Sequence, residues 1–485
     1  MKTSLGLLTA LLASSSIVSA KLIYVDCSWS GSGAPDGSQT RPYTSLSLVN
    51  DFTFSPGDKL LFKSEVNCTG QLMPRGSGTE ESPIIVTRYG RGGLPVIDAE
   101  GQFNATVYLR NVDYWIISDL LLTNAAEEEG RRQGIDVEAT DGRIHAGITI
   151  RNLRIDTVAG NTNKRLYASD FSNSACILLQ GTANYSRYDD VEIYDNDLSN
   201  CGGGGIKVRL GQLDNQGKNL RVHDNKIEKV GGDGIVISYA ISPLIDHNVA
   251  GDLGYGAYPY SGGNFAGIWV LGCHNAVMRY NIVYGSIMSE IDSEAFDCDW
   301  GNTGTCTVEY NYSHDNAGGI FLNCDGCGTS PGGATQIVRY NIFENDCRIY
   351  SNGDAPTLWF YNNVVYCPDK DLEFHLPPST RFSNNIVVAT ENSTLPFGAN
   401  IEYQTNMFQN MKLPSSWLEF QGDPKFVEAG QNSSTLDGLG GYKLRAGSGA
   451  LKKGTIINDD GGKDFWGAEI PRGKPNIGSY AGHGI

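Results

Sequence analysis

One phrase recurs along the middle of the chain: an apolar residue, two positions, an Asn, another apolar residue, then a Gly and an alternating apolar run. It is written "VEIYDND", "LRVHDNKI", "LIDHNV", "VMRYNIV", "VEYNYS", "VRYNIF", "LWFYNNVV" and "RFSNNIVV". The aligned residues are Asn196, Asn225, Asn248, Asn281, Asn311, Asn341, Asn363 and Asn385, at intervals of 29, 23, 33, 30, 30, 22 and 22 residues. A period a little over twenty, lengthened at variable points, is the mark of a solenoid. The strands are rich in β-branched and aromatic residues and lack a fixed leucine pattern, which predicts an all-β fold, a parallel β-helix. One coil cannot bury its apolar side alone, so neighbouring coils must stack into a continuous core. Asn suits such a corner because it tolerates left-handed backbone and its amides can bond along a stack. Asn311 is therefore expected to face inward, and its "NYS" to be a false glycosylation site.

The same alternation runs through "GIDVEA", "GITIRNLRI" and "CILLQG". The expected organisation is an N-terminal cap with first strands over 21–82, coils over 83–400, and C-terminal coils and tail of the same domain over 401–485. "GGGG" at 202–205 lacks the following helix of a phosphate cradle and reads as a tight corner. "EEEGRR", Glu127 to Arg132, reads as an exposed loop without chemistry.

Residues 1–20 carry one Lys, an apolar run, and Val18-Ser19-Ala20, a small-x-small ending. They read as a secretory signal, with Lys21 opening the mature chain; the run is short for a membrane anchor. A formal net charge of −17 argues against nucleic acid or an anionic membrane as partner. A secreted monomer is expected. Asn67, Asn104, Asn184, Asn392 and Asn432 sit in N-x-S/T sites that a secreted protein can glycosylate. Eleven cysteines leave at least one unpaired in a monomer. Cys27 with Cys68 and Cys347 with Cys367 are plausible disulfides. "CDGC", Cys324 and Cys327, has zinc-knuckle spacing without a second ligand pair.

The N-terminal phrase contains Gly37, Ser38, Pro42, Tyr43, Thr44, Ser45 and Leu46, followed by Pro56, Gly57 and Asp58. It resembles the opening of secreted right-handed parallel β-helix carbohydrate-active enzymes, the pectate-lyase-like superfamily. "YNYSHDNAGGIFL" and the ending "GDPKFV", "GGYKLRAGSGALKKG", "DFWG" and "PNIGSYAG" resemble the same group. The resemblance covers nearly the whole mature chain and implies this fold and a carbohydrate substrate. The polygalacturonase set Asn-Thr-Asp, Asp-Asp, Gly-His-Gly and Arg-Ile-Lys is not found, nor the pectate-lyase Arg-x-Pro-x-x-Arg, so no catalytic residue carries over.

Aligning the strands that follow the glycines sets the core positions as Ile135 and Val137, Ile177 and Leu179, Ile206 and Val208, Ile235 and Ile237, Ile268 and Val270, Phe296 and Cys298, and Ile320 and Leu322. Side chains alternate along a strand, which puts two columns outside. The first reads Asp136, Leu178, Lys207, Val236, Trp269, Asp297, Phe321; the second Glu138, Gln180, Arg209, Ser238, Leu271, Asp299, Asn323. Coils about 4.8 Å apart space these groups for an extended glycan. Trp269 could stack on a sugar, Lys207 and Arg209 could pair with a uronate, and Phe321 and Asn323 would add contacts. Other readings stand beside these: Trp269 covering a loop, and Lys207 and Arg209 pairing with Asp136 and Glu138.

"EAFDCDWG" carries acids in both columns, as "GIDVEA" does with Asp136 and Glu138. Asp297 and Asp299 are the expected catalytic pair, their Cα atoms about 6.5–7 Å apart, with Glu294, Asp315 and His314 in the turns beside them. Hydrolysis needs one carboxylic acid and one carboxylate and no cofactor. The alternative is β-elimination at a uronate with Ca²⁺ on Asp292, Glu294, Asp297 and Asp299, with Lys207, Arg209 or His314 as base. A non-catalytic glycan-binding or structural solenoid is the remaining alternative. Outward acids on a strand can also be plain solvated surface, and His314 a corner residue bonded to the backbone.

Overall fold

The structure is a computed structural model that describes residues 20–485 apart from 182, 325, 326, 329–331, 353–356 and 399. The expected leader, save its last residue, lies outside the described residues. Short strands stack coil upon coil in parallel. A first sheet runs from Leu22–Val25 through Lys59–Lys63 and Ile84–Tyr89 to Glu402–Gln404. A second runs from Asn67–Thr69 to Met407–Gln409. A third, from Ala105–Arg110 to Glu373–Phe374, holds the glycine-led strands. The chain is a right-handed parallel β-helix. Inward positions form one apolar column per sheet position, such as Ile177, Ile206, Ile235, Ile268 and Phe296, all fully buried.

Parallel stacking already begins at Leu22, and the short helix Leu46–Asn50 buries Leu46 and Val49 in the core. At the other end the tail folds back along the outside. Ile457 and Ile470 pack on Tyr310, Tyr340 and Tyr361, and Asn362 donates to the carbonyls of Asn476 and Gly478.

The Asn stack forms as a continuous ladder. Each amide donates to the next Oδ1, from Asn196 to Asn225 at 2.8 Å through Asn311 to Asn341 at 3.1 Å, and on to Asn406. Asn311 is fully buried within it. One detail differs from expectation. The left-handed residue is the one before each Asn, as at His247, Tyr280, Tyr310 and Tyr340 (φ 57°, 55°, 56° and 52°). That turn swings the Asn side chain inward, where it accepts a backbone N–H of the preceding coil. Cutting the ladder at Asn311→Ala strands the Met278 carbonyl and the Asn281 N–H, each worth about 1–3 kcal/mol when buried and unsatisfied. A lowered denaturation midpoint is expected, and the wild-type peptide carrying Asn311 should be glycan-free by mass spectrometry.

The glycine tract lies within the strand Asp197–Arg209, which bends from the second sheet into the third. Gly203 has φ +80°, and a Cβ on Gly202 would stand 1.9 Å from the Gly160 carbonyl oxygen, so the corner admits no side chain. The turns from second to third sheet carry the long insertions, residues 159–174, 252–267 and 285–295. These wall one edge of the third sheet's outer face. The loop 127–132 is fastened to them, because the Glu129 carboxylate accepts the N–H and hydroxyl of Thr162.

Cys27–Cys68 and Cys347–Cys367 are disulfides, joined by Cys176–Cys201, Cys298–Cys306 and Cys324–Cys327. "CDGC" is thus a disulfide rather than half a zinc site, and Cys273 is the buried free thiol. No helix among the described residues is long and apolar enough to cross a membrane. The side chains of Asn67, Asn104, Asn184, Asn392 and Asn432 are exposed.

Candidate active site

Strand pairing sets the outer columns, and it corrects the sequence alignment at one coil. Trp269 pairs with Asp297 as expected, but Phe296 pairs with Phe321 and Cys298 with Asn323. Phe321 and Asn323 are therefore inward and fully buried, and neither can touch a substrate on the outer face. The turn Gly318-Gly319 holds one residue more than the alignment allowed. A one-residue slip sends every side chain to the other face. The first column continues from Asp297 to Leu322 and Tyr350, and the second from Asp299 to Cys324.

Lys207 and Arg209 do not line an open groove. The insertion 159–174, with its short helix Ala168–Ser172, lies over them. Lys207 Nζ donates to the Phe171 carbonyl at 2.8 Å, sits 4.0 Å from the Phe171 ring centre, and pairs with Asp233 at 3.2 Å. Burial pulls its pKa down to about 8, against the opposing pull of Asp233. Arg209 donates to Asn173 Oδ1 at 3.0 Å and to the Ser172 carbonyl. Both cations fasten the insertion to the sheet instead of pairing with Asp136 and Glu138.

His314 and Asp315 also lie elsewhere. His314 belongs to the second-sheet strand Tyr312–His314, stacked on Tyr284 and Tyr312 at 5.1 and 5.0 Å. Asp315 accepts from Asn345 and Asn432, and pairs with His314 at 2.9 Å. Sheet geometry places them at a corner, outside the Asp297 cluster.

What gathers around Asp297 is compact. Asp297 is 4 % exposed, and its Oδ1 has no hydrogen-bond partner among the described residues. Burial, then the charges of Asp299, Asp292 and Glu294, hold its pKa well above the carboxylate range, against the opposing charge of Lys164. Asp299, one column over, is half-buried and accepts the Trp300 N–H at 2.7 Å. Glu294 is fully buried, with Oε1 on Arg348 at 2.8 Å and Oε2 without a hydrogen-bond partner among the described residues. Burial and Asp292 outweigh Arg348 and push Glu294 up to about 8. Asp292 is raised as well, chiefly by burial.

Three groups were missed because their coils lie apart in sequence. Asp233 accepts the Trp269 indole N–H at 3.0 Å and holds Lys207 on its other oxygen, so the insertion, Lys207, Asp233 and Trp269 form one chain that orients the indole beside Asp297. Lys164, on the same insertion, lies 5.7 Å from the Trp269 ring centre. Arg348 reaches Glu294 across the coil between them. That coil is Gly318-Gly319 at the crossing, where a Cβ on Gly318 would stand 2.5 Å from the Glu294 N and one on Gly319 2.5 Å from the Arg348 Cβ. The paired glycines were the available signal. Arg348 also lies 4.6 Å from the Tyr350 ring centre, and Tyr350 adds an aromatic group to the outer column.

No protein-family model matches the chain. A lacto-N-biosidase of Bifidobacterium longum subsp. longum is 26 % identical over an alignment covering 91 % of this chain and 35 % of that protein, so the chain spans about a third of the relative's length. The crystal structure of a GH136 lacto-N-biosidase from Eubacterium ramulus superposes with a TM-score of 0.59 at 22 % identity, covering 79 % of this chain and 68 % of that one. Its selenomethionine form gives 0.60 at 21 %, over 81 % and 68 %. At those identities the structural likeness speaks to the fold.

Proposed function

We propose that this chain is a secreted glycoside hydrolase, with Asp297 as proton donor and Asp299 as its ionised partner. The observation that carries this reading is the contrast between them. Asp297 is buried, has no hydrogen-bond partner at Oδ1 among the described residues, and has its pKa raised by burial and the neighbouring acids, while Asp299 is half-buried beside a backbone N–H. Carboxyl groups whose surroundings differ in this way divide into acid and base. Asp297 would pass its proton to the glycosidic oxygen as that bond breaks. Asp299 would either attack the anomeric carbon or take a proton from the attacking water. Trp269 and Tyr350 flank Asp297 along the column as surfaces for sugar rings. The likeness to a lacto-N-biosidase makes lacto-N-biosides the first substrates to test, on a chain of this fold with five disulfides and a leader-like N-terminus. Glycans on Asn67, Asn104, Asn184, Asn392 and Asn432 belong to the same reading.

Calcium-dependent elimination fits this cluster less well. Of its four proposed ligands, Glu294 is committed to Arg348, while Lys207 and Arg209, two of the candidate bases, are held by the insertion. Incubation with a lacto-N-bioside and a panel of cell-wall glycans, with and without chelator, tests the reading. Release of new reducing ends, unaffected by chelator, is expected. Ultraviolet absorbance of unsaturated uronates that disappears with chelator would replace hydrolysis by elimination. Glycan binding without turnover would make the chain a binding solenoid.

A further inference from the structure

The first residue of the coil region meets an unusual acceptor. The Lys21 N–H donates to Asp58 Oδ1 at 2.7 Å, and Asp58 Oδ2 accepts the Ser55 N–H at 2.9 Å. Asp58 is 1 % exposed, and these two amides are its side-chain partners among the described residues. A buried carboxylate facing only neutral donors is costly unless a cation joins it. Lys21 is held firmly in place. Its carbonyl accepts the Lys59 N–H at 2.8 Å, its Nζ lies 5.2 Å from the Phe52 ring centre, and Leu22 pairs with Lys59 in the sheet. Ala20 and Lys21 are themselves exposed, so the bond joining them is open to solvent.

We propose that the Ala20–Lys21 bond is a proteolytic maturation site, and that cleavage there seats the new α-ammonium of Lys21 on buried Asp58. Hydrolysis by a leader peptidase adds one water. Ala20 leaves as a carboxylate and the Lys21 nitrogen takes the proton, so a neutral amide donor becomes a cation at the same place. Val18-Ser19-Ala20 before the bond supplies the small residues such a peptidase reads. Processing thereby completes the ion pair that the fold otherwise lacks, and it stands whether or not the chain is a hydrolase. The remaining charged groups on the elements packed around this nitrogen, Lys59, Asp51, Glu80 and Glu81, are exposed, where screening weakens them.

The test begins with the N-terminal sequence of the full chain secreted from a eukaryotic host, expected to open at Lys21. The α-amine of that protein should react with an amine acylating reagent at pH 8 at least about tenfold more slowly than an ordinary α-amine, whose pKa is about 7.7–8.0. Pairing raises the folded pKa, so its stabilisation is present below about pH 7.7 and is lost as pH climbs through the raised value. The free-amine form should therefore melt above a form retaining Ala20 at pH 7, with the gap closing toward pH 10. Asp58→Asn should abolish the gap; if that variant does not fold, the comparison of free and N-acetylated Lys21 carries the same information. A mature N-terminus elsewhere overturns the proposal. So does an α-amine of ordinary reactivity with equal melting of the two forms.

Discussion

Asp297→Asn is expected to lower turnover by about 10²–10⁴-fold, the usual contribution of a positioned acid or base, while the protein remains folded. The amide keeps the volume of the carboxyl and cannot ionise, so nothing in the buried cluster gains charge. The wild-type rate should fall as pH rises through the elevated Asp297 pKa, because the proton to be donated is then lost. Stability carries a second signature of the same group. The folded state holds the Asp297 proton to higher pH than the unfolded chain does, so unfolding free energy declines as pH rises from about 3.9 toward the folded value. Asp297→Asn removes the Asp297 share of that slope, leaving the shares of Glu294 and Asp292. Asp299→Asn should also abolish turnover, and it should shrink the slope by withdrawing the charge that helps raise Asp297. Full activity in both variants, with a denaturation profile unchanged between pH 4 and pH 9, would move the chemistry to another site.

Arg348→Met should produce the largest loss of stability, about 3–5 kcal/mol for a buried pair broken on one side. The Arg348 side chain is 11 % exposed and Glu294 fully buried, and the guanidinium also donates to the carbonyls of Ile291 and Gly318. The penalty depends on pH in a defined direction. Arg348 favours the ionised form of Glu294, whose pKa stands at about 8. Its removal therefore costs most above that value and less at pH 6, where Glu294 is already protonated. Adding Glu294→Gln to Arg348→Met should recover much of the high-pH loss. Denaturant midpoints of the three variants at pH 6 and pH 9 check this; equal losses at both would mean that the carbonyl contacts, not the ion pair, hold Arg348.

The solenoid could be read from the repeat because its physical cause is local. Each Asn must fill the same inward corner, so its position survives insertions that change the interval from 22 to 33 residues. The core columns could be read for the same reason, as far as the alignment held. It failed at Phe321 and Asn323, where one residue in a turn reversed the face of a strand whose composition is apolar on both sides. Asn406 extends the ladder beyond the recognised phrases, in a coil whose strands are too short to show alternation. His314 and Asp315 were adjacent to the acids in a linear sense only.

Residues within one coil announced themselves: Asp297, Asp299 and Glu294 stand on one strand and its entry, where alternation alone sets their directions. Residues from different coils did not. Asp233, Lys164 and Arg348 come from positions 64 before, 133 before and 51 after Asp297, and their meeting depends on insertions folding over the sheet. The sequence by itself determined the β-helix, the Asn ladder and the strand that carries two outward acids, because period and alternation are properties of neighbouring residues. Only the tertiary structure decided that Lys207 and Arg209 are covered, that Trp269 is oriented by Asp233, and that Glu294 meets Arg348. Burial and ion pairing are set by what packs over a side chain, and in a solenoid that is supplied by other coils.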